Sequence, residues 1–167
     1  MVAGIIFGVL AILVVIAYSS EETPRKVASS MSMRLDDVIS GIAFGMVSGF
    51  ITGDSKAMVL SRIRHLGMKI HQEYIAKQDG KTYIECLVGG EIMKYSFVIN
   101  KHELLEGFVL EYSDCAYSGL DVYRKFKNVL GEPDDVMETN YVWKIGNTQF
   151  VILSKNAPSI VIRDFLY

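Results

Sequence analysis

Three histidines and two cysteines are the side chains best suited to metal binding or nucleophilic chemistry in this sequence. They are His65, His71, His102, Cys86 and Cys115. A zinc site needs four ligands at close spacing, and no histidine here has a second histidine or cysteine three or four residues away. We therefore predict neither a metal ion nor a cofactor.

The two cysteines allow two interpretations. Cys86 and Cys115 could form one disulfide bridge in an oxidising compartment, or they could be two buried thiols in a reducing one. Because free cysteine is among the most buried residue types, we favour free buried thiols. A nucleophilic pair of Cys115 with a histidine is the catalytic alternative, and a core thiol is favoured over it.

Catalytic motifs of known spacing are missing from the sequence. It contains no G-x-S-x-G elbow, no Walker loop and no G-x-G-x-x-G fingerprint. Acidic residues cluster within residues 132–138, but a calcium loop of the D-x-D-x-D-G type is absent, so we interpret this cluster as a solvated loop. The sequence thus favours a protein that is not an enzyme.

Aromatic residues are the strongest candidates for binding. Three tyrosines surround the start of the predicted second helix, and Tyr141 and Trp143 alternate on one side of a predicted strand, either as core or as an exposed patch. Rigid aromatic side chains concentrate interface energy. The candidate partner-binding residues are therefore Tyr112, Tyr117, Tyr123, Tyr141 and Trp143.

The first eighteen residues predict a membrane anchor. Met1–Tyr18 contains no charged side chain, and as a helix it would reach about 27 Å, close to the ~30 Å hydrocarbon core of a bilayer. A cleaved signal peptide would have a cationic first region, and residues 2–17 contain neither Lys nor Arg. We therefore predict a single-pass transmembrane helix at 1–18, followed by a linker at 19–35.

The charges that follow the anchor favour one orientation. Arg25, Lys26 and Arg34 lie after the apolar segment, and positive residues favour the cytoplasmic side. We therefore expect the rest of the chain to face the cytoplasm, with an extracytoplasmic domain as the alternative.

A second uncharged run, Val38–Gly53, is short for a membrane helix and contains a glycine every four residues. Internal repetition argues that it belongs to a soluble domain. Asp37–Phe44 matches Glu103–Leu110, and Ala57–Gly67 matches Asp121–Gly131, with both later segments ending in Leu-Gly. A re-entrant or spanning helix is the alternative.

The two copies predict an α+β fold. We divide the chain into a first repeat at 36–100 and a second at 101–167, each with one strand, one helix and three antiparallel strands in a two-layer arrangement. Turn signals such as Asp79-Gly80 and Gly89-Gly90 separate the strands. The predicted strands are Ile42–Val47, His71–Lys77, Thr82–Val88 and Glu91–Ile99 in the first copy, and Phe108–Tyr112, Val136–Ile145, Thr148–Ser154 and Ser159–Phe165 in the second.

A helix that ends in Leu-Gly-x-Pro, at Leu130–Pro133, comes before a strand with a central Trp, at Tyr141–Trp143. This pattern resembles the helix-then-meander repeats of β-lactamase-inhibitor-like domains and of the small lipoprotein of the outer-membrane barrel-assembly machinery. The sequence departs from that pattern in having no lipobox cysteine and no Pro after Gly67. The resemblance implies a binding surface rather than an active site.

These observations together predict a membrane-tethered protein-interaction module, an accessory or scaffold of a larger membrane assembly. The net charge of −2 and the pI near 5.9 argue against nucleic-acid binding. The expected partners are a membrane-associated protein, the bilayer through Met1–Tyr18, and a second copy in a homo-oligomer. The alternatives are an extracytoplasmic inhibitor or immunity-type binding protein with a Cys86–Cys115 bridge, and an enzyme of unrecognised class.

Overall fold

The computed structural model of the protein describes residues 32–43 and 46–164. In this part of the chain three helices and an eight-stranded antiparallel sheet confirm the predicted α+β class. The helices are α1 (Leu35–Ile42), α2 (Lys56–His65) and α3 (Gly119–Leu130). The strands are β1 (Ser32–Met33), β2 (Lys69–Ile75), β3 (Thr82–Leu87), β4 (Gly89–Gly90), β5 (Ile92–Ile99), β6 (Leu105–Tyr112), β7 (Asp135–Val136), β8 (Asn140–Ile145), β9 (Gln149–Ser154) and β10 (Ser159–Asp164).

The large sheet has the order β2-β3-β5-β6-β10-β9-β8-β7. Strands β2, β3 and β5 form one antiparallel meander after α2, and strands β8, β9 and β10 form another after α3. Strand β6 lies between the two meanders and pairs with β5 along one edge and with β10 along the other. The two halves of the sequence therefore share one continuous sheet.

The predicted strand at Ile42–Val47 is wrong. Helix α1 occupies the start of this segment because its apolar residues follow the helical spacing of i, i+3, i+4 and i+7. The buried residues of α1 are Leu35, Val38, Ile39 and Ile42. The first half of the fold thus begins with a helix, whereas the second begins with β6.

The apolar run Val38–Gly53 contributes to the core of the domain. Beyond α1, Val47 and Phe50 are buried, and the ring of Phe50 lies 4.6 Å from that of Phe97 on β5. Gly41 allows the chain to turn back, since a Cβ there would lie 2.7 Å from the carbonyl oxygen of Met46. These contacts agree with the interpretation of the run as part of a folded domain.

The predicted anchor Met1–Tyr18 lies outside the described residues. Among those that the structure does describe, no helix is both long enough and apolar enough to cross a bilayer. The end of the predicted linker differs from expectation, because Ser32–Met33 forms β1 and pairs in parallel with Gly89–Gly90. The Gly-Gly segment is therefore part of the β3–β5 connection, as predicted, and also a pairing site for the incoming chain.

The sequence predicts Ser55 and Ser118 as the residues that cap the two longer helices, and the structure confirms both. The side chain of Ser55 caps α2 by accepting from the backbone of Met58. Ser118 and Asp121 form a reciprocal capping box on α3, which satisfies two backbone donors that the first turn leaves free. Gly67 and Gly131 follow α2 and α3 with positive φ angles of 66° and 86°, a conformation that glycine adopts without strain.

The spacing of apolar residues predicts one apolar face for α3, formed by Leu120, Tyr123, Phe126 and Leu130, and this prediction is partly wrong. Val122 and Phe126 are its buried residues, whereas Leu120, predicted to be in the core, is 54% exposed. The predicted strand Val136–Ile145 also differs, because the chain reverses after Val136 and the backbone of Met137 donates to Asn140. It therefore forms two antiparallel strands, β7 and β8.

The helices cover one face of the sheet. Side chains of α1, α2 and α3 join the inward residues of the strands in the main core, which includes Tyr95, Phe97, Phe108 and Trp143. On the opposite face, strand residues form a second, smaller cluster without any helix residue among the described ones. We call this second surface the open face.

Gly107 is the position where β6 tolerates no side chain. A Cβ there would overlap the carbonyl oxygen of Ile162 on β10. Gly107→Ala should lower the free energy of unfolding by about 1–3 kcal/mol because overpacking forces the backbone apart. Urea titration would measure this, with Gly119→Ala as the control, since its Cβ would make only an ordinary 4.0 Å contact with the hydroxyl of Tyr112. Equal stability of Gly107→Ala and the native chain would contradict the prediction.

Alkaline pH should destabilise the fold through Tyr95. Burial raises the pKa of Tyr95 from 10.0 to about 12, opposed by its hydrogen bond to Ser48. The neutral phenol is therefore favoured in the folded state. Its contribution to the free energy of unfolding is complete below pH 10 and is lost as the pH rises towards 12. The loss should approach about 1.4 kcal/mol per pH unit above 10. Tyr95→Phe should show a shallower decline of unfolding free energy; an unchanged slope would refute this role.

Candidate functional site

The structure brings three of the five predicted binding residues together. Tyr123 on α3 lies 4.3 Å from Tyr141 on β8 and 6.3 Å from Trp143 on the same strand, measured between ring centroids. Tyr141 and Trp143 are two residues apart on one strand, so both point towards α3. The helix and the strand thus form one aromatic cluster.

Trp143 is the base of this cluster and is itself only 1% exposed. Its ring lies 5.3 Å from that of Phe126, and its indole N–H donates a 3.0 Å hydrogen bond to the carbonyl oxygen of Gly131. Since that carbonyl follows the end of α3, the bond ties the helix to the sheet. Trp143 is therefore a core residue, which is one of the two interpretations that the sequence allows.

Tyr123 and Tyr141 are half-buried, and exposed aliphatic residues flank them. Leu120 lies one helical turn before Tyr123, and Val136, which is 57% exposed, pairs with Tyr141 across β7 and β8. The Lys155 ammonium lies 4.5 Å from the centre of the Tyr141 ring. We call this surface the aromatic patch and define it as Leu120, Tyr123, Val136, Tyr141 and Lys155.

The sequence predicts only part of the aromatic patch. The spacing of Leu120 matches the apolar period of α3 and predicts a core position, and Val136 falls at the start of the longer predicted strand Val136–Ile145. Their exposure depends on the chain reversal between β7 and β8, and the Asp, Met and Glu residues around that reversal contain no Gly-type turn signal.

Tyr112 and Tyr117 do not join the aromatic patch. Tyr112 ends β6 and is 2% exposed, so it cannot present its ring to a partner. Tyr117 is held by charged neighbours, because the Lys125 ammonium lies 5.2 Å from its ring centre. A hydrogen bond to Glu91, together with burial, raises the pKa of Tyr117.

Glu91 is the centre of a network that the sequence did not predict. Its carboxylate accepts a 2.7 Å hydrogen bond from the backbone N–H of Leu35 at the start of α1. In the same region, the Lys125 ammonium lies 2.6 Å from the carboxylate of Asp36, and the hydrogen bond to that carboxylate raises the pKa of Lys125. We call this network of Leu35, Asp36, Glu91 and Lys125 the N-terminal clasp. It joins the start of α1 to α3.

The acidic residues after α3 serve local structure. Asp134 accepts a 2.7 Å hydrogen bond from the backbone N–H of Lys144, and Glu132 pairs with Lys127. Within residues 32–43 and 46–164, no three His, Cys, Asp or Glu side chains converge as metal ligands would.

Both cysteines are free thiols in the structure, in different environments. Cys86 is buried on β3, and this burial, together with the charge of Glu85, raises its pKa from 9.0 to about 12. Cys115 is exposed in the connection between β6 and α3, so the expectation of a buried thiol fails there. A Cys86–Cys115 disulfide remains a prediction, and it belongs to the alternative in which the domain is extracytoplasmic.

The chain matches no family model, no curated protein and no solved structure. The resemblance to inhibitor-like repeats therefore stays a prediction. The described part of the chain folds as an α+β domain with an open antiparallel sheet. Aromatic and aliphatic side chains lie on its surface beside α3.

Thiol labelling tests the two cysteine environments. At pH 8 a disulfide reagent should modify Cys115 rapidly and Cys86 only after unfolding in urea, because attack requires the thiolate, which burial disfavours. Cys115→Ser should abolish the fast phase and Cys86→Ser should leave it intact. Finding no reactive thiol before reduction would instead support the bridged alternative, and two fast thiols would contradict the burial of Cys86.

Proposed function

We propose that this protein is a membrane-tethered protein-interaction module that binds its partner through the aromatic patch. The observation that supports this most directly is the arrangement of two half-exposed tyrosine rings between Leu120 and Val136. Aromatic side chains are enriched at the centres of protein interfaces, and the apolar residues around them help to exclude water.

The chemistry of the partner follows from the edge of the aromatic patch. Lys155 donates to the carbonyl oxygen of Met137 at 2.6 Å, which uses one of the three N–H donors of its ammonium group. A partner that covers the two rings would therefore gain from an acidic side chain opposite Lys155. We expect an apolar segment with an adjacent carboxylate, on a protein of the same membrane assembly.

Attachment to the bilayer is the second part of the proposal. Residues 1–18 are uncharged and of sufficient length to span the hydrocarbon core, and the chain enters the domain at β1. The positive residues after that segment favour a cytoplasmic domain. Tethering would confine the aromatic patch near the membrane and raise its effective concentration for a membrane-bound partner.

Internal duplication is a further component of the proposal. A helix followed by a three-stranded antiparallel meander occurs twice, as α2 with β2, β3 and β5, and as α3 with β8, β9 and β10. The proposed boundary between repeats at residues 100 and 101 falls in the turn that precedes β6. The aromatic patch belongs to the second unit alone, which suits a duplication whose copies have diverged in surface chemistry.

Substitution of the exposed patch residues tests the proposed interface. In the full chain, purified in mild detergent, Leu120→Ser with Val136→Ser should reduce partner recovery about tenfold, which corresponds to a combined loss of about 1.4 kcal/mol of binding free energy. The control is Met58→Ser with Ile75→Ser, which alters equally exposed apolar residues on α2 and β2.

The comparison of the two variants decides the outcome. Loss of the partner in the aromatic-patch variant alone supports the interface. Equal recovery with both variants, equal loss with both, or a native chain that purifies without any partner would each refute the proposed binding function.

A further inference from the structure

Glu91 connects two segments that are distant along the chain. Its backbone N–H donates a 3.1 Å hydrogen bond to the carbonyl oxygen of Met33 on β1, and its own carbonyl oxygen accepts a 2.9 Å hydrogen bond from the backbone N–H of Ser113. Met33 belongs to the chain that enters the domain, and Ser113 begins the connection between β6 and α3. One residue between β4 and β5 therefore contacts both segments through its backbone.

The carboxylate of Glu91 joins the same two segments a second time. One donor is the backbone N–H of Leu35, the first residue of α1, which lies 2.7 Å from a carboxylate oxygen. The other donor is the phenol of Tyr117, in the connection that leads to α3. An ionised carboxylate only accepts hydrogen bonds, and bonds to a charged acceptor are stronger than those between neutral groups. Glu91 therefore forms two hydrogen bonds to the entering chain and two to the connection.

The connection at residues 113–118 determines where α3 begins. The backbone N–H of Tyr117 donates a 3.2 Å hydrogen bond to the carbonyl oxygen of Ser113, so the chain turns sharply there. Ser118 follows at once and caps α3. Leu120 and Tyr123, the residues of the aromatic patch that α3 carries, lie in the first turns of this helix. The position of the connection therefore sets the position of both side chains.

A side-chain link runs beside these hydrogen bonds. The Lys125 ammonium lies 2.6 Å from the carboxylate of Asp36 and 5.2 Å from the ring centre of Tyr117. The side chains of Lys125 and Asp36 are 31% and 45% exposed, and an exposed ion pair contributes little to stability by itself. The hydrogen bonds of Glu91 are therefore the main connection between the entering chain and α3.

The entering chain can be released without disturbing the large sheet. Among the described strands, β1 pairs only with β4, in a two-stranded sheet that is separate from the eight-stranded one. Release of residues 32–35 would therefore break no pairing within the large sheet. The side chains of Met33 and Leu35 are 5% and 0% exposed, and this burial keeps the segment docked in the resting protein.

We propose that Glu91 is the positioning residue of the aromatic patch, and that through it the docking of residues 32–35 fixes the first turns of α3. The inference rests on the proposed function, since it concerns the regulation of the same surface. Docking and partner binding are then linked in both directions. A partner on the aromatic patch stabilises the docked segment, and release of the segment weakens partner binding by the same factor.

Amide hydrogen exchange in the full chain, in mild detergent, tests the role of Glu91. Glu91→Ala removes the acceptor of two donors, so the amides of residues 116–124 should exchange about tenfold faster, the size of effect expected when hydrogen bonds to a charged group are lost. Rates are compared with those of the β6 amides, which report unfolding of the whole domain. Glu91→Gln keeps an acceptor oxygen and should restore part of the protection.

The matched control is Glu73→Ala, which removes an ion-paired carboxylate on β2, at the edge of the large sheet opposite to β7. This variant should leave the exchange of residues 116–124 unchanged. Equal acceleration in Glu73→Ala and Glu91→Ala would overturn the proposal, as would no acceleration in Glu91→Ala relative to β6. A Glu91→Gln protein that is no better protected than Glu91→Ala would overturn it as well.

The link to the entering chain is tested from its other end. Leu35→Pro removes the N–H that Glu91 binds, at the first position of a helix, where proline is tolerated. Arg34 already has the extended backbone, with φ −94° and ψ 141°, that a following proline favours. Leu35→Ala is the control, because it also loses the buried side chain but keeps the N–H. Faster exchange of residues 116–124 in Leu35→Pro than in Leu35→Ala supports the coupling, and equal exchange contradicts it.

Partner recovery, measured in parallel, separates this inference from the proposed function. Recovery with Glu91→Ala should fall below that of the native chain, although Leu120 and Val136 are intact. If both proteins recover the partner equally, Glu91 does not position the aromatic patch and the proposal is wrong. If the native chain recovers no partner, the proposed function fails, whereas the exchange comparison still decides whether Glu91 holds α3.

Discussion

The pairing of β6 along both edges is the constraint on which the rest of the fold depends. Each meander is a three-stranded unit with two edges, and exposed edges are prone to aggregation. By joining β5 to β10, β6 removes one edge from each meander and sets the register of both. Gly107 makes this pairing possible, since the backbone of β10 approaches where a Cβ would be.

The aromatic patch is a consequence of this arrangement. With the second meander fixed against β6, α3 must lie over β8 to cover Trp143, and the bond from its indole to Gly131 sets the end of the helix. The rings of Tyr123 and Tyr141 then meet at the edge of the core, where β7 is too short to cover them. The aromatic patch is therefore exposed because α3 packs over Trp143 and leaves the outer sides of Tyr123 and Tyr141 uncovered.

The sequence predicted the strands and the ends of the longer helices because their signals are local. Turn residues such as Gly80, whose φ angle is 69°, mark the hairpins, and Ser118 with Gly131 limits α3. It failed at α1, where the segment that holds four buried residues with helical spacing also contains Gly41, which matches Gly107 of β6 in the internal repeat. The exposure of Leu120 and the burial of Tyr112 could not be predicted either, because both depend on which strand or helix lies alongside, which is a property of the assembled sheet.

The N-terminal clasp has a mechanical consequence. Any tension on the chain before Ser32 is applied first to the pairing of β1 with β4, then to the bond between Leu35 and Glu91. From there the load passes through Asp36 to Lys125, and so to α3. A pull on the chain before Ser32 would therefore reach the helix that carries Leu120 and Tyr123 and, through Glu91, the adjoining start of β5.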